Sequence, residues 1–270
     1  MKKAIFFDID GTLIDASKGM IHLSDKVRKA LHALKNAGNY IFIASGRPLD
    51  FLDPELVNFG FNGFVLMNGA VVIVEDKVIF SEAIDKSIIK EIVSTCERMK
   101  IEYILQSHPK VYLKTNFKRM ENFYTSFKID VNRFEREFNP YDLEVYKLEF
   151  QTADARTDVA AIYKKWLNSP ELTGIVDQFH RNNMEIYSRK NSKGSGILHA
   201  LKYLGIAVKN SYAFGDGLND LEMIQTVGCG MAMGNGNSKL KKLAKHVVPS
   251  VYEDGVAYGI RHYILKAAIE

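Results

Sequence analysis

Cysteine, proline and long apolar runs are scarce in this chain. Its 270 residues include 2 cysteines and 6 prolines. Cys96 and Cys229 show neither metal-ligand spacing nor the pattern of a disulfide framework, which predicts a reducing compartment, the cytoplasm. The apolar run near Met1 reaches Asp8 too soon for a signal peptide, and no other stretch approaches membrane-spanning length. We therefore expect a soluble chain with no membrane partner.

An excess of one charge is also lacking. Lys and Arg number 36 against 32 Asp and Glu, so the formal net charge is +4, and the two signs are interspersed. The densest basic stretch, residues 114–119, has acidic side chains close by in the sequence, which is typical of a solvated face rather than of a nucleic-acid-binding stripe. The hydrophobic share of 47% is ample for a packed core. We expect a globular protein with no nucleic-acid partner.

The most informative stretch that is present lies at residues 4–12. Four apolar residues, 4–7, read as a fully buried strand, and Asp8 and Asp10 follow it before a Gly-Thr turn. In open parallel sheets, ligands bind beyond the carboxyl ends of the strands. Asp8 and Asp10 start out on the same side of the strand, and their repulsion calls for a cation or for separate chemical roles. Alone, the pattern also fits a plain turn or a calcium loop.

The same arrangement of a buried strand before a polar turn recurs along the chain. Residues 40–44 and 64–67 read as two more strands, and an amphipathic helix over 24–37 joins the first two strands into a β-α-β unit. After residue 189 this rhythm resumes, with a helix over 196–204 and a strand over 211–214. The polar turns at strand or helix ends are Asp8-x-Asp10, Ser45-Gly46, Lys193-Gly194 and Asp216-x-x-Asn219-Asp220.

The pattern of buried strands followed by polar turns ends near residue 83. Helical and strand patterns continue to about residue 188, over about 100 residues, a size at which a domain can stand alone. The economical interpretation is one α/β domain, residues 1–82 and 189–270, interrupted by an α+β domain, residues 83–188.

The polar turns have the composition of a phosphoryl-transfer site. Mg²⁺ prefers carboxylate and carbonyl oxygens, which the Asp8 carboxylate, the Asp10 backbone carbonyl and the Asp216 carboxylate could provide. A phosphate needs hydrogen-bond donors. Donors of the right kind are Ser45, the Gly46 amide, Asn219 and the Lys193 ammonium.

No Walker-A sequence is present, so we expect the nucleophile to be a side chain. Asp8 can attack phosphorus to form an aspartyl phosphate, while Mg²⁺ and Lys193 offset the charge on the phosphoryl oxygens. Asp10 would protonate the departing alkoxide and then deprotonate the attacking water.

The motifs, taken in order, resemble those of the haloacid dehalogenase superfamily of aspartate-nucleophile phosphatases. Its four motifs match Asp-x-Asp-Gly-Thr at 8–12, Ser45, Lys193 and Gly-Asp-x-x-Asn-Asp at 215–220. Further details resemble the Cof-type branch, subfamily IIB. They are Ser-Gly-Arg at 45–47, Asn-Gly-Ala at 68–70, Ser-Lys-Gly at 192–194, Met-Gly-Asn at 233–235 and Asp-Gly-Val at 254–256. One departure is Gly236, where the branch usually has Ala.

The resemblance implies a Rossmann-like parallel-sheet core with an inserted α+β cap of the C2B type. It also implies Mg²⁺-dependent hydrolysis of small phosphorylated metabolites, often sugar phosphates. The implied site residues are Asp8, Asp10 and Lys193 for catalysis, Asp8, Asp10 and Asp216 for the metal, and Ile9, Ser45, Gly46, Lys193 and Asn219 for phosphate.

Three further residues have roles that stay open at this point. Asp220 could bind the metal directly, but in the family it more often fixes the lysine or a metal-bound water. Arg47 and Asn68 could contact substrate from the rim of the core. Asn68 could instead simply occupy a left-handed turn before Gly69.

Two other functions fit the same motifs. A phosphotransferase or mutase would pass the phosphoryl group to a sugar hydroxyl instead of water. A regulatory protein would sense or accept phosphate without turnover, although Asp10 argues against that, since a mere acceptor needs no acid or base. The cap side chains follow no readable pattern, so the substrate is not identified, and either a monomer or a homodimer is expected.

Overall fold

Strands and helices alternate through a computed structural model that describes residues 1–152, 157–176 and 183–266. The strands are β1 (Ala4–Phe7), β2 (Tyr40–Ala44), β3 (Gly63–Leu66), β4 (Val71–Val74), β5 (Lys77–Ser81), β6 (Glu102–Gln106), β7 (Val111–Tyr112), β8 (Lys147–Gln151), β9 (Leu172–Val176), β10 (Asn183–Ser188), β11 (Ser211–Gly215), β12 (Cys229–Ala232) and β13 (His246–Val247). The α-helices are α1 (Asp25–Asn36), α2 (Pro54–Asn58), α3 (Lys86–Met99), α4 (Lys118–Ser126), α5 (Thr157–Leu167), α6 (Lys193–Leu204), α7 (Leu221–Thr226), α8 (Ser238–Leu243) and α9 (Gly255–Gly259).

The chain divides into two compact units. The first consists of Met1–Gly46, Asp53–Ser81 and Ser192–Glu270, and the second of Arg47–Leu52 and Glu82–Asn191. The sequence predicts the ranges 1–82 with 189–270 and 83–188. The predicted boundary near residue 82 lies one residue after the observed one, and the predicted boundary near residue 190 lies three residues before it. The predicted ranges also place residues 47–52 in the first unit, whereas the structure groups this segment with the second. Residues 153–156, 177–182 and 267–270 of the predicted ranges lie outside the described residues.

The first unit is built on an eight-stranded sheet in the order β13-β12-β11-β1-β2-β3-β4-β5. The strands from β13 to β3 run parallel, and β4 and β5 extend the sheet as an antiparallel hairpin. Ala4 at the start of β1 lies opposite Tyr40 of β2 on one side and Ser211 of β11 on the other. Every residue of β1 is buried, as its uninterrupted apolar sequence predicts.

The strand order reverses around β1. From β1 the chain proceeds to β2 and β3 on one side, and it later returns to β11, β12 and β13 on the other. Open α/β sheets bind ligands where the strand order reverses in this way, beyond the carboxyl ends of the strands. Asp8, Ser45 and Asp216 each directly follow one of the strands that meet there.

Aromatic side chains pack on both faces of the sheet. The rings of Phe6 and Phe42 stack at a centroid distance of 5.0 Å, within a buried cluster that includes Ile197 and Leu201 of α6. Phe7 points to the opposite face because side chains alternate along a strand, and its ring stacks on Phe214 at 5.2 Å. Each pair joins β1 to a neighbouring strand and fixes the position from which Asp8 emerges.

A close backbone approach brings the start of α6 against the end of β3. Met67, Asn68 and Gly69 have positive φ angles of 49°, 54° and 89° in succession. A Cβ on Gly69 would lie 1.9 Å from the carbonyl oxygen of Ser192, and one on Gly196 would lie 2.9 Å from the Gly69 Cα. Only glycine allows this approach. It places Lys193, the first residue of α6, near the carboxyl edge of the sheet.

The second unit contains a five-stranded antiparallel sheet in the order β7-β6-β8-β10-β9. One face packs through Tyr103, Leu148 and Phe150 into a buried cluster with α3 and α5. The other face carries a buried lysine between two glutamates: the Lys147 Nζ lies 2.5 Å from an oxygen of Glu185 and 3.2 Å from one of Glu149.

Phe51 and Asp50 attach the segment Arg47–Leu52 to this second unit. The Phe51 ring lies 4.8 Å from that of Tyr124 and 5.4 Å from that of Phe134. The Asp50 carboxylate accepts a hydrogen bond from the Val111 amide at 3.3 Å and pairs with Arg133 at 3.5 Å. No helix among the described residues has the length and apolar character needed to cross a membrane.

We expect Gly69→Ala to destabilise the protein far more than Gly205→Ala. Both glycines have positive φ, 89° and 66°, so an alanine costs about 1–2 kcal/mol at either position. A Cβ on Gly69 would also collide with the Ser192 carbonyl oxygen, whereas one on Gly205 would meet nothing within 4 Å among the described residues. Urea unfolding of the two variants measures the difference. Equal losses of unfolding free energy would contradict the close approach.

Candidate active site

A buried lysine joins two carboxylates at the carboxyl edge of the first unit's sheet. The Lys193 Nζ lies 2.5 Å from Asp8 Oδ1 and 2.6 Å from Asp220 Oδ1, and the lysine is 1% exposed. Burial alone would lower the pKa of Lys193, but the two carboxylates outweigh this effect and raise it. The ammonium is therefore charged throughout the physiological pH range, and it is held by two short charge-assisted hydrogen bonds.

The start of α6 holds Lys193 in place. The Ser192 hydroxyl caps the helix by accepting a hydrogen bond from the Ser195 amide, and the Ser195 hydroxyl accepts one from the Ser192 amide. A Cβ on Gly194 would lie 2.7 Å from Thr226 Oγ1, so α6 and α7 pack closely at this point. The Ser-Lys-Gly sequence thus supplies a cap, the ammonium and a residue small enough for close packing.

Asp8 is the first residue after β1, and its amide donates to the Phe214 carbonyl at 3.0 Å, which continues the ladder with β11. Its side chain is buried, with 6% of the residue exposed. Burial and the nearby Asp220 charge raise the pKa of Asp8 well above its usual range, although Lys193 acts in the opposite direction. A buried carboxyl in such a position is typical of a functional site.

Asp220 uses both carboxylate oxygens within the protein. Its Oδ1 accepts from Lys193, and its Oδ2 accepts from the amides of Asp216 and Gly217 at 2.9 Å each. A Cβ on Gly215 would lie 2.7 Å from the Asp220 carboxyl carbon, so glycine is required where the turn folds over this carboxylate. Asp220 therefore ties the loop after β11 to the lysine at the start of α6.

Asp216 faces the turn that follows β1. Its Oδ1 accepts a hydrogen bond from the Thr12 hydroxyl at 3.2 Å, and a Cβ on Gly11 would lie 2.3 Å from its Oδ2. Burial and the Asp220 charge raise the pKa of Asp216 to about 6, and a carboxylate oxygen of Asp216 lies within 4.8 Å of one of Asp8. Carboxylates this close repel each other, and a cation between them would relieve the repulsion.

The chemistry of these groups fits a hard divalent cation. Asp8, Asp216 and Asp220 each offer an oxygen, and these three atoms lie within 4.8 Å of one another. Because both Asp220 oxygens already accept hydrogen bonds, Asp8 and Asp216 are the carboxylates best placed to hold the ion. The third predicted ligand, the Asp10 backbone carbonyl, belongs to the turn directly after Asp8. An all-oxygen set of this kind suits Mg²⁺.

The other predicted site residues lie in the turns of the same sheet edge. Asp10 is exposed, whereas the neighbouring Ile9 is buried and its carbonyl accepts the amides of residues 12–14. Ser45 is buried at the end of β2, and its carbonyl accepts the Asn68 amide at 3.2 Å. Gly46 follows it, and Asn219 is exposed in the turn Leu218–Asp220.

The two candidate substrate contacts have different environments. Asn68 adopts the left-handed conformation that is one of its two sequence interpretations, with φ of 54°. Its Oδ1 is also buried without a hydrogen-bond partner in the described part of the chain, 3.0 Å from the place a Cβ on Gly46 would take. Arg47 belongs to the second unit, and its guanidinium donates to the Phe51 carbonyl at 3.2 Å.

Two residues of the site have no role assigned from the sequence. Thr12 binds Asp216, and the Asn235 amide donates to the Gly11 carbonyl at 2.8 Å. Thr12 belongs to the motif Asp-x-Asp-Gly-Thr and Asn235 to the motif Met-Gly-Asn. Their membership of these motifs is the sign of a role that the sequence gives. Which backbone or side chain each one contacts depends on tertiary packing, which the motif spacing does not reveal.

Comparisons with known proteins agree on one family. A family model described as haloacid dehalogenase-like hydrolase matches residues 5–260. YkrA of Bacillus subtilis, named as a candidate phosphatase, is 30% identical over 274 residues, covering 96% of each chain. YcsE of the same organism, named a 5-amino-6-(5-phospho-D-ribitylamino)uracil phosphatase, is 28% identical over 97% of this chain and 96% of its own. A solved structure of a sugar phosphatase of the haloacid dehalogenase subclass IIB is similar at TM-score 0.79 and 25% identity, over 97% of this chain and 99% of that one.

We expect Asp220→Asn to lower the unfolding free energy by about 2 kcal/mol or more, since it removes a buried charge from Lys193. A matched control is Glu91→Gln, which breaks the exposed pair between Glu91 and Lys165, 3.0 Å apart. That change should cost less than about 0.5 kcal/mol. Chemical denaturation of both variants tests the contrast. A loss for Asp220→Asn as small as that of the control would be inconsistent with the buried pair.

Proposed function

The chain belongs to the haloacid dehalogenase-like hydrolases and is a phosphatase, and from this premise we propose that it hydrolyses phosphomonoesters with Mg²⁺ through an aspartyl phosphate on Asp8. The observation that carries the proposal is the buried ammonium of Lys193 between Asp8 and Asp220, with Asp216 beside them. Together these four residues bring a nucleophile, a fixed positive charge and a pair of oxygen ligands to one edge of the sheet.

The first step forms the covalent intermediate. An Asp8 carboxylate oxygen attacks phosphorus, and the bond between phosphorus and the leaving oxygen breaks. Asp10 gives its proton to that oxygen, which leaves as an alcohol. The Lys193 ammonium is held at Asp8 Oδ1. It stabilises the negative charge of the phosphoryl oxygens while the phosphoryl group is transferred to Asp8.

The second step releases phosphate. A water attacks the phosphorus of the aspartyl phosphate, and Asp10, now a carboxylate, takes a proton from that water. The bond between phosphorus and the Asp8 oxygen breaks, which restores the Asp8 carboxylate and frees inorganic phosphate. Asp10 is protonated again at the end of the second step, as it was before the first.

The grouping of the Asp8, Asp216 and Asp220 carboxylates supports a cation at this site. An Asp8 that keeps its proton is a poor nucleophile, so the carboxyl must be ionised for attack. Mg²⁺, when bound by the Asp8 and Asp216 carboxylates and the Asp10 carbonyl, would supply positive charge that favours the ionised carboxyls and neutralises the phosphate. Thr12 would keep the Asp216 carboxylate oriented through its hydrogen bond.

Donors for the phosphate oxygens are proposed from the surrounding turns. They are Lys193, Ser45, Asn219 and the backbone around Ile9 and Gly46. Asn68 is a candidate for contact with the rest of the substrate. Its buried Oδ1 has no hydrogen-bond partner among the described residues and could accept a hydrogen bond from a substrate hydroxyl. Arg47, whose guanidinium donates to the Phe51 carbonyl, is a second candidate for this contact.

The substrate class we propose is a phosphate ester of a sugar or of a similar small metabolite. Two names support it: the relative YcsE is named for a phosphoribitylamino-uracil, and the subclass IIB structure is that of a sugar phosphatase. The low cysteine content supports a reducing, cytoplasmic compartment as part of the same proposal.

We expect Asp8→Asn to lower the rate of phosphate release from an aryl phosphate in Mg²⁺ buffer by at least about a thousandfold, because the amide cannot act as the nucleophile. Asp76→Asn, in the exposed hairpin turn between β4 and β5, is the matched control and should retain full activity. Circular dichroism of both variants checks that the fold persists. Near wild-type activity in a folded Asp8→Asn protein would rule out the mechanism.

A panel of phosphorylated sugars and other small metabolites tests substrate class and metal together. Chelation of divalent cations should lower phosphate release at least about a hundredfold, and added Mg²⁺ should restore it. Transfer of the phosphoryl group to a sugar without free phosphate would indicate a phosphotransferase instead. A stable phosphorylated Asp8 that never turns over would indicate a regulatory phosphate acceptor.

A further inference from the structure

The side chain of Asn68 carries a buried hydrogen-bond acceptor that the fold leaves unused. Asn68 is 4% exposed, and no group in the described ranges donates a hydrogen bond to its Oδ1. The large majority of buried side-chain polar atoms in folded proteins have a partner, because a buried acceptor without one has lost its hydration and gained nothing in return. The packing of the first unit therefore gives this oxygen no role.

The acceptor lies beside the turn that follows β2. The Asn68 amide donates to the Ser45 carbonyl at 3.2 Å, and the Asn68 Oδ1 lies 3.0 Å from the position that a Cβ on Gly46 would take. Glycine at position 46 thus keeps side-chain atoms away from this oxygen. The proposed function assigns Ser45 and the backbone at Gly46 to the phosphate, so the unused acceptor adjoins the phosphate-binding residues.

The backbone at Asn68 is held in a conformation that costs free energy. Met67 and Asn68 both have φ in the left-handed region, 49° and 54°, which is disfavoured for residues with a side chain. The close approach of Gly69 to the Ser192 carbonyl fixes this conformation from the other side. Backbone strain of this kind persists mainly where a ligand is bound, and here it coincides with an unpaired acceptor.

The partner that suits this acceptor is a donor on the alcohol part of the substrate. The oxygens of an ionised phosphate are acceptors and would repel the Asn68 Oδ1, whereas a hydroxyl can donate to it. Because the acceptor adjoins the residues assigned to the phosphate, the hydroxyl that reaches it lies few bonds from phosphorus. The carbon next to the ester carbon is the nearest place that can carry such a hydroxyl.

We propose that Asn68 is a specificity-determining residue that selects phosphate esters with a hydroxyl on the carbon next to the ester carbon, as in phosphates of sugars and other polyols. This inference rests on the proposed function and adds the chemical feature by which the substrate is chosen. A site built to hydrogen-bond a hydroxyl rejects the analogue that lacks it, because the buried protein group is then left unpaired.

Three small esters isolate the donor in the wild-type protein. They are 2-hydroxyethyl, ethyl and 2-fluoroethyl phosphate, and the release of phosphate gives kcat/KM for each. We expect kcat/KM of the hydroxyethyl ester to exceed that of either other ester by at least about thirtyfold. Fluorine cannot donate a hydrogen bond, and it makes the alcohol a better leaving group. Slow turnover of the fluoroethyl ester would therefore reflect the missing donor.

Substitutions of Asn68 test the acceptor. Asn68→Gly removes it and keeps the backbone, since glycine readily adopts positive φ, and the ratio of kcat/KM for the hydroxyethyl and ethyl esters should fall below about threefold. Asn68→Asp keeps an acceptor, so the ratio should stay above about tenfold even though the added charge lowers both rates. Asp76→Gly, at an exposed position with φ of 62°, is the matched control and should leave the ratio unchanged. The ratio is independent of the fraction of protein that is folded.

The outcomes separate this inference from the proposed function. If the Asn68 side chain serves only the fold, Asn68→Gly lowers kcat/KM for all three esters alike. That result, a ratio that survives in Asn68→Gly, or a wild-type ratio near one overturns the inference, while hydrolysis of the esters leaves the proposed function standing. Absence of phosphate release from every ester and from an aryl phosphate would instead overturn the proposed function itself.

Discussion

One buried ammonium group organises the first unit of this chain. Lys193 can be charged inside the protein only because Asp8 and Asp220 lie against it, and a buried charge without partners would be very costly. The three residues come from segments separated by 185 and 27 positions along the chain, after β1, at the start of α6 and after β11. The glycines at 11, 69, 194 and 215 remove side chains from the places where these segments approach one another. The sheet edge is thus built around a charge balance as much as around apolar packing.

That balance leaves an excess of negative charge for a ligand to neutralise. Three carboxylates, those of Asp8, Asp216 and Asp220, lie near a single ammonium. Burial, and after it the charge of Asp220, raises the pKa values of Asp8 and Asp216. A divalent cation would neutralise this excess of negative charge. An anionic phosphate ester could then bind beside it, because the cation lowers the repulsion between the phosphate and the carboxylates.

The sequence predicts the parts of the molecule whose determinants are local. A short apolar run followed by Asp8-x-Asp10-Gly11 identifies a buried strand and its turn, and the family and the α/β fold that this motif implies are confirmed by the matches over residues 5–260. Contacts between distant segments are a different matter. Nothing in the spacing of Met-Gly-Asn shows that Asn235 reaches Gly11, 224 positions away, because that depends on how the loops after β1 and β12 pack. The attachment of Phe51 to residues 124 and 134 was missed for the same reason.

The grouping of Arg47–Leu52 with the second unit determines which residues of this chain would have to be moved together in a domain graft. A graft that moved only residues 82–191 onto another member would leave Phe51 and Asp50 behind. The transplanted piece would then carry an apolar cavity beside Tyr124 and Phe134, and Arg133 would lose its carboxylate partner. Cavities and unpaired polar groups of this kind are among the larger causes of instability. The second unit of this chain is therefore made of two chain segments, and a transfer that separates them should give a less stable protein.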